Sequence, residues 1–136
     1  MKVMLDENAY MPKRAYDTDA GYDLRTPYRF VLKQHESITV DTGVHIDIPV
    51  GYAGFLKAKS GLNVKHDITG TGVVDASYTG SIKAKLYNHG HVAHVFNKGD
   101  KIIQIVILPV YTPDLELVDH LDPTERGSNG LGSTGR

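Results

Sequence analysis

Apolar and polar residues alternate one by one through much of this chain, and no stretch sustains an apolar 3.6-residue period. That pattern belongs to strands with one face buried and one face wet, and it excludes a helical bundle. In "SITVDTGVHIDIP" the even positions Ile38, Val40, Thr42, Val44, Ile46 and Ile48 form one face. Ser37, Thr39, Asp41, Gly43, His45 and Asp47 form the other. The stretch reads as one half-buried strand, or as two with a bend at Gly43. "SIKAKLYN" repeats the pattern, with Ile82, Ala84 and Leu86 set against Lys83, Lys85 and Tyr87. "KIIQIVILP" is apolar on both faces, as a central strand covered on both sides should be. Shorter strands are expected at 28–32, 53–59, 92–96 and 115–118, and a helical turn or two around 61–65. Many short strands between Gly, Pro and Asp turns predict an all-β, jelly-roll-like sandwich or barrel.

At 136 residues the chain is expected to form one domain, a body over 1–125 followed by a Gly-rich arm over 126–136. The arm, "RGSNGLGSTGR", has too little apolar surface to pack, so it reads either as a frayed tail or as a mobile cradle for an anion. Hydrophobic residues make up 40% and charged residues 23%, ordinary values for a globular protein. The opening Met1–Lys2–Val3–Met4 runs at once into Asp6 and Glu7, which is not the pattern of a signal peptide. The apolar run 102–110 is far too short to span a bilayer. With no cysteine there is neither a disulfide framework nor a thiolate metal site, and a cytoplasmic location is expected. The net charge of −1 is uneven: residues 57–101 hold seven Lys against three Asp, while 110–125 hold five acids and no Lys or Arg. A basic middle suits an anionic ligand, or is simply the wet face of strands; no cluster is dense enough for duplex nucleic acid.

Five short stretches interrupt the strands with small and polar residues: "DAGYDL", "KAKSGLN", "TGTGVVDASYTG", "KGDKIIQ" and the arm. Gly beside Asp or Ser lets backbone N–H groups approach phosphate oxygens, although the same pairs make ordinary turns. In the third stretch an Asp follows two β-branched residues, an odd place for a turn residue. It suggests a general base on a pocket floor. "HGHVAH" invites a metal-site reading, but on a strand His94 faces away from His89 and His91, and no further ligand completes a set. Asp17, Asp19 and Asp23 faintly suggest a calcium loop, without the Glu that closes one.

"AGYDL", "KSGL", "GVVDASYTG", "GDKIIQ" and "RGSNGLGSTG" occur in the order and approximate spacing of the five motifs of the trimeric dUTPases, and from about residue 2 to 135 the chain resembles that family. The resemblance implies a jelly-roll homotrimer that cleaves dUTP to dUMP and pyrophosphate with Mg²⁺, supplying dUMP for dTMP synthesis. Its sites would lie between subunits, each arm closing over a neighbour. By the same resemblance Asp75 binds the 3′-OH and holds the attacking water. Tyr78 packs on the deoxyribose and excludes a ribose 2′-OH. Backbone groups of 69–80, with Thr69, Gly72, Val73 and Val74, read the uracil. Lys59, Ser60, Gly61, Lys85 and Gln104 belong to the substrate contacts, with Ser60 and Gln104 on the phosphate chain. Asp23 would act on the metal through water. Arg126, Leu131, Gly132, Ser133 and Thr134 of the arm would close over the nucleotide.

Three positions depart from the family pattern. Lys59 stands where Arg is usual, keeping the charge but losing the bidentate fork, and Lys57 is placed to share its task. Leu131 replaces an aromatic that covers the uracil, and Thr69 replaces a common Asn. A dCTP deaminase of the same fold would need a pocket Glu, and the four motif stretches of the body contain none. A second role as a repressor-binding regulator, known for some phage enzymes of this family, is neither indicated nor excluded by these residues.

Overall fold

A computed structural model describes residues 1–131, 133 and 135 of the chain. The alternating stretches form strands. In chain order they are β1 (Val3–Leu5), β2 (Gly21–Arg25), β3 (Phe30–Leu32), β4 (Ser37–Asp41), β5 (Val44–Ile46) and β6 (Tyr52–Lys57). The helix α1 (Ser60–His66) follows, then β7 (Ile68–Val74), β8 (Lys83–Asn88), β9 (His94–Phe96) and β10 (Lys101–Pro109). Six strands join in the order β2-β10-β6-β7-β8-β4, with β1-β5 and β3-β9 as two smaller ribbons. Every pairing is antiparallel. This is the expected jelly-roll class.

The core lies between the inner face of the large sheet and the two ribbons. Leu24, Val40, Leu56, Ile68, Leu86, Ile103 and Ile105 come from the sheet, and Phe30, Leu32, Val44, Ile46 and Phe96 from the ribbons. Phe30 and Phe96, opposite each other across β3 and β9, stack with centroids 4.8 Å apart. β10 is an interior strand, paired with β2 on one edge and β6 on the other, but it is not covered on both sides throughout: Gln104 is only partly buried and Leu108 is exposed.

Of the two readings of "SITVDTGVHIDIP", the structure has two strands, and the bend at Gly43 carries the chain from the large sheet into a ribbon. Gly43 has φ +66°, and a Cβ there would come within 2.9 Å of Ala9 Cβ. Only glycine fits both the left-handed backbone and the close approach. Helix α1 covers the expected 61–65 turn; Lys59 is its N-cap without a side-chain cap bond, and Asp67 ends it in the left-handed conformation. No helix among the described residues is long and apolar enough to cross a membrane.

The strand expected at 115–118 does not form. Residues 115–118 are irregular, with Leu115 96% and Leu117 100% exposed. Alternation alone is insufficient where no neighbouring strand supplies hydrogen bonds. Conversely, β1, β2 and β7 form outside the expected strands: β1 is only three residues long, β2 reads GYDLR with Gly and Asp in it, and the Gly and Thr content of β7 imitates loop composition.

Candidate active site

The motif residues gather at two separate places on the large sheet. The first is a charged cluster at the β2-β10-β6 edge. Gln104 on β10 lies opposite Asp23 on one side and Lys57 on the other, and Lys57 lies opposite Thr71. Directly opposed residues share a face, so these four form a polar row on the outer surface. Asp23 is only 6% exposed. Its Oδ1 accepts from Lys59 Nζ, and its Oδ2 from Lys101 Nζ at 2.7 Å. Burial pushes the Asp23 carboxyl up, but hydrogen bonds from Lys101 and Lys59 and the charges behind them outweigh it and hold the pKa below the ordinary value. Gln104 lies against Gly21, where a Cβ would meet its Oε1 at 2.3 Å, and its Nε2 donates to Ala58 O at 3.4 Å. Ser60 opens α1 exposed to solvent, next to Gly61. Beside this cluster is a concavity of about 490 Å³ lined by residues including Arg25, Leu62, His66, His94 and Lys101.

The second place is the loop between β7 and β8. Val74 is the last buried residue of β7, and Asp75 after it is exposed. Among the described residues Asp75 has no ion-pair partner. The Tyr78 N–H closes a turn onto Asp75 O at 3.0 Å. Tyr78 is 43% exposed, so it is no core residue; its Oη donates to Ser81 O at 2.9 Å, and Gly80 lies against its ring. A side chain at Gly80 would collide with Tyr78 at 2.5 Å. Val73 points outward, 62% exposed, while Gly72 faces Leu56.

The two places do not meet within one chain. Lys57 opposes Thr71 on β7, whereas Asp75 lies four residues further on, just past the end of that strand. That is a separation of about 13 Å along the strand, at roughly 3.3 Å per residue.

The remaining residues lie elsewhere. The Thr69 hydroxyl meets His89 Nε2 at 2.8 Å, and Lys85 Nζ sits 5.5 Å from the Tyr87 ring centre. The three histidines of "HGHVAH" take different partners: His89 stacks on Tyr87, His91 packs on His35, and His94 packs on His66. Arg126, Leu131 and Ser133 are exposed; Arg126 Nε donates to Asn129 O, and Ser133 N–H to Gly130 O, so these bonds run within the arm. Gly132 and Thr134 lie outside the described residues. Lys101 was not singled out from the sequence. The signal is present in the sequence, because Lys101 belongs to "GDKIIQ", three residues before Gln104.

A family model described as dUTPase matches residues 7–135. The chain belongs to the dUTPase family. The deoxyuridine 5'-triphosphate nucleotidohydrolase of Mus musculus is 42% identical over 135 residues, 98% of this chain and 83% of that protein. A mutant of the Staphylococcus bacteriophage 80alpha dUTPase with dUpNHpp has a TM-score of 0.88 at 32% identity, covering 99% of this chain and 98% of the other. A mutant dUTPase from phage phi11 of S. aureus, described with a structural Mg(II) ion, has a TM-score of 0.82 at 32% identity over 88% of this chain and 96% of the other. Lys59 gives its ammonium to Asp23, and because an ammonium has donors only, it cannot cap the first N–H groups of α1.

Proposed function

We propose that this chain hydrolyses dUTP to dUMP and pyrophosphate by in-line attack of a water on the α-phosphorus. Asp75 carries the reading. It is an exposed carboxylate without an ion-pair partner among the described residues, fixed by a strand end on one side and a turn on the other. Such a group is free to accept a hydrogen bond from the attacking water and to raise its nucleophilicity. The water oxygen bonds to phosphorus as the bond to the bridging oxygen breaks, and pyrophosphate leaves with that electron pair. Tyr78, beside Asp75, packs on the deoxyribose, and the backbone of 69–80 reads the uracil edge.

The charged cluster holds the triphosphate. Lys59, Lys101, Ser60 and Gln104 offer donors within one small region, and catalysis there rests on positioning and charge neutralisation. The separation of Asp75 from this cluster along the β7 direction agrees with a site that takes its hairpin and its cluster from different copies. That supports a homotrimer with sites between subunits. The body over 1–125 supplies both halves, and the arm over 126–136 closes over a neighbour's nucleotide.

Among the described residues no group of three or more His, Asp or Glu comes together to hold a metal, and both Asp23 oxygens face lysines. These residues do not fit direct metal ligation. Mg²⁺ belongs to the reading as a partner of the triphosphate, taking phosphate and water oxygens. A bound triphosphate offers the lysines more negative oxygens than Asp23 does, which would draw them off the carboxylate.

Pyrophosphate release from dUTP, dTTP, dCTP and UTP, each with Mg²⁺, tests the proposal. Turnover of dUTP well above the other three is expected. No turnover of dUTP would sink the reading, and equal rates on dUTP and UTP would remove the discriminating role of Tyr78.

A further inference from the structure

The loop that carries Asp75 and Tyr78 is pinned from outside by a histidine. His45, on β5, is half-buried, and each of its ring nitrogens faces an oxygen with no hydrogen to offer. Nδ1 lies 2.8 Å from Thr79 O, and Nε2 lies 3.2 Å from Asp6 Oδ1. A neutral imidazole carries one N–H and can satisfy only one of these acceptors; the imidazolium carries two and satisfies both. Thr79 is the residue after Tyr78. Asp6 follows β1, the strand paired with β5, and its own N–H donates to Gly43 O at 2.8 Å. The ring thus ties the N-terminal ribbon to the loop at the point where it leaves Tyr78.

From the geometry we infer that His45 is a positioning residue for the nucleoside-binding loop, a doubly donating imidazolium strap that tightens when charged and slackens when neutral. The inference rests on the proposed dUTP hydrolysis.

Every charged group around the ring is accounted for. Asp6 lies against Nε2 beyond β1, and Asp41, at the end of β4, adds its negative charge. Asp41 also takes Ser81 Oγ and Lys83 Nζ, so the far end of the same loop is tied down independently. Lys2 and Asp47 flank the small cavity of about 160 Å³ that His45 and Thr79 line. The hydrogen bond to Thr79 O raises the His45 pKa, burial lowers it, and Asp6 raises it again, with a net upward direction. A raised histidine pKa means the strap is complete at low pH and is lost as pH climbs above the ordinary value of 6.5.

The test follows KM and kcat for dUTP across pH in the wild type, His45→Gln and Asp6→Asn, together with ring ¹⁵N and backbone amide spectra of the wild-type protein. In the wild type KM should rise roughly three- to tenfold, the worth of one hydrogen bond, as pH passes through the His45 titration, with kcat nearly constant. His45→Gln, which offers a donor but no charge, should flatten that limb. Asp6→Asn should move it to lower pH. In the spectra both ring nitrogens should be protonated up to a midpoint above 6.5, and the amide shifts of Thr79 and Gly80 should follow the same titration. A KM limb unchanged in His45→Gln, or a ring neutral at pH 6.5, overturns the strap. The wild-type spectra decide even if His45→Gln fails to fold. They also decide if the protein turns over no dUTP, an outcome that would strike the hydrolysis reading alone.

Discussion

Three aspartates show how position, not residue type, sets chemistry here. Asp23 is buried between two lysines, Asp41 is half-exposed and bonded to Lys83, Ser81 and Gly43, and Asp75 stands exposed with no ion-pair partner among the described residues. Only the last has its oxygens free for a water. Asp75→Asn should lower dUTP turnover roughly 10²- to 10⁴-fold, the usual worth of a positioned base, while leaving the binding of a non-hydrolysable analogue and the melting temperature nearly unchanged. Retained turnover removes Asp75 from its role. Asp41 belongs to stability instead. Burial pushes its pKa up, but the bonds from Lys83, Ser81 and Gly43 carry it down to about 2 from the ordinary 3.8. A carboxylate depressed in the folded state contributes stability above its unfolded pKa and loses it as pH falls. Acid unfolding of the wild type should therefore steepen between about pH 4 and 2. Asp41→Asn should flatten that limb, and an identical curve for the variant would show that the cluster contributes nothing.

At the scale of elements, the β7-β8 hairpin carries Asp75 and Tyr78 of the proposed site. Its strands approach so closely at Gly70 that a Cβ there would lie 2.9 Å from Lys85 O, a backbone atom with little freedom to yield. The alternation in "SIKAKLYN" announced β8, and the two-sided apolar pattern announced β10. β7 went unannounced because a strand built as "ITGTGVV" spends its glycines on close contact rather than on turning. The arm after residue 125 is the opposite case: its composition suggests a segment that does not pack, and the hydrogen bonds of its described residues stay local. Deleting 126–136 should cut dUTP turnover by an order of magnitude or more while moving the melting temperature little. An undiminished rate would leave the arm a frayed tail.

For the whole molecule, the hairpin and the charged cluster lie apart on one sheet, and the proposed site takes them from different copies. Sedimentation should give a particle of three 14.9 kDa chains. Mixing Asp75→Asn subunits with Gln104→Ala subunits should restore part of the turnover that each variant lacks alone. No recovery in mixed oligomers would place both halves of each site on the same chain. The sequence alone determined the all-β class and the place of β10 between two neighbouring strands, because alternation is a local property written along the chain. Only the tertiary structure decided which charges pair. That Lys101 shares Asp23 with Lys59, that residues 115–118 find no strand to join, and that His45 reaches Thr79 across 34 residues depend on strand order and register. Those are set by how the whole core closes, and no local pattern carries them.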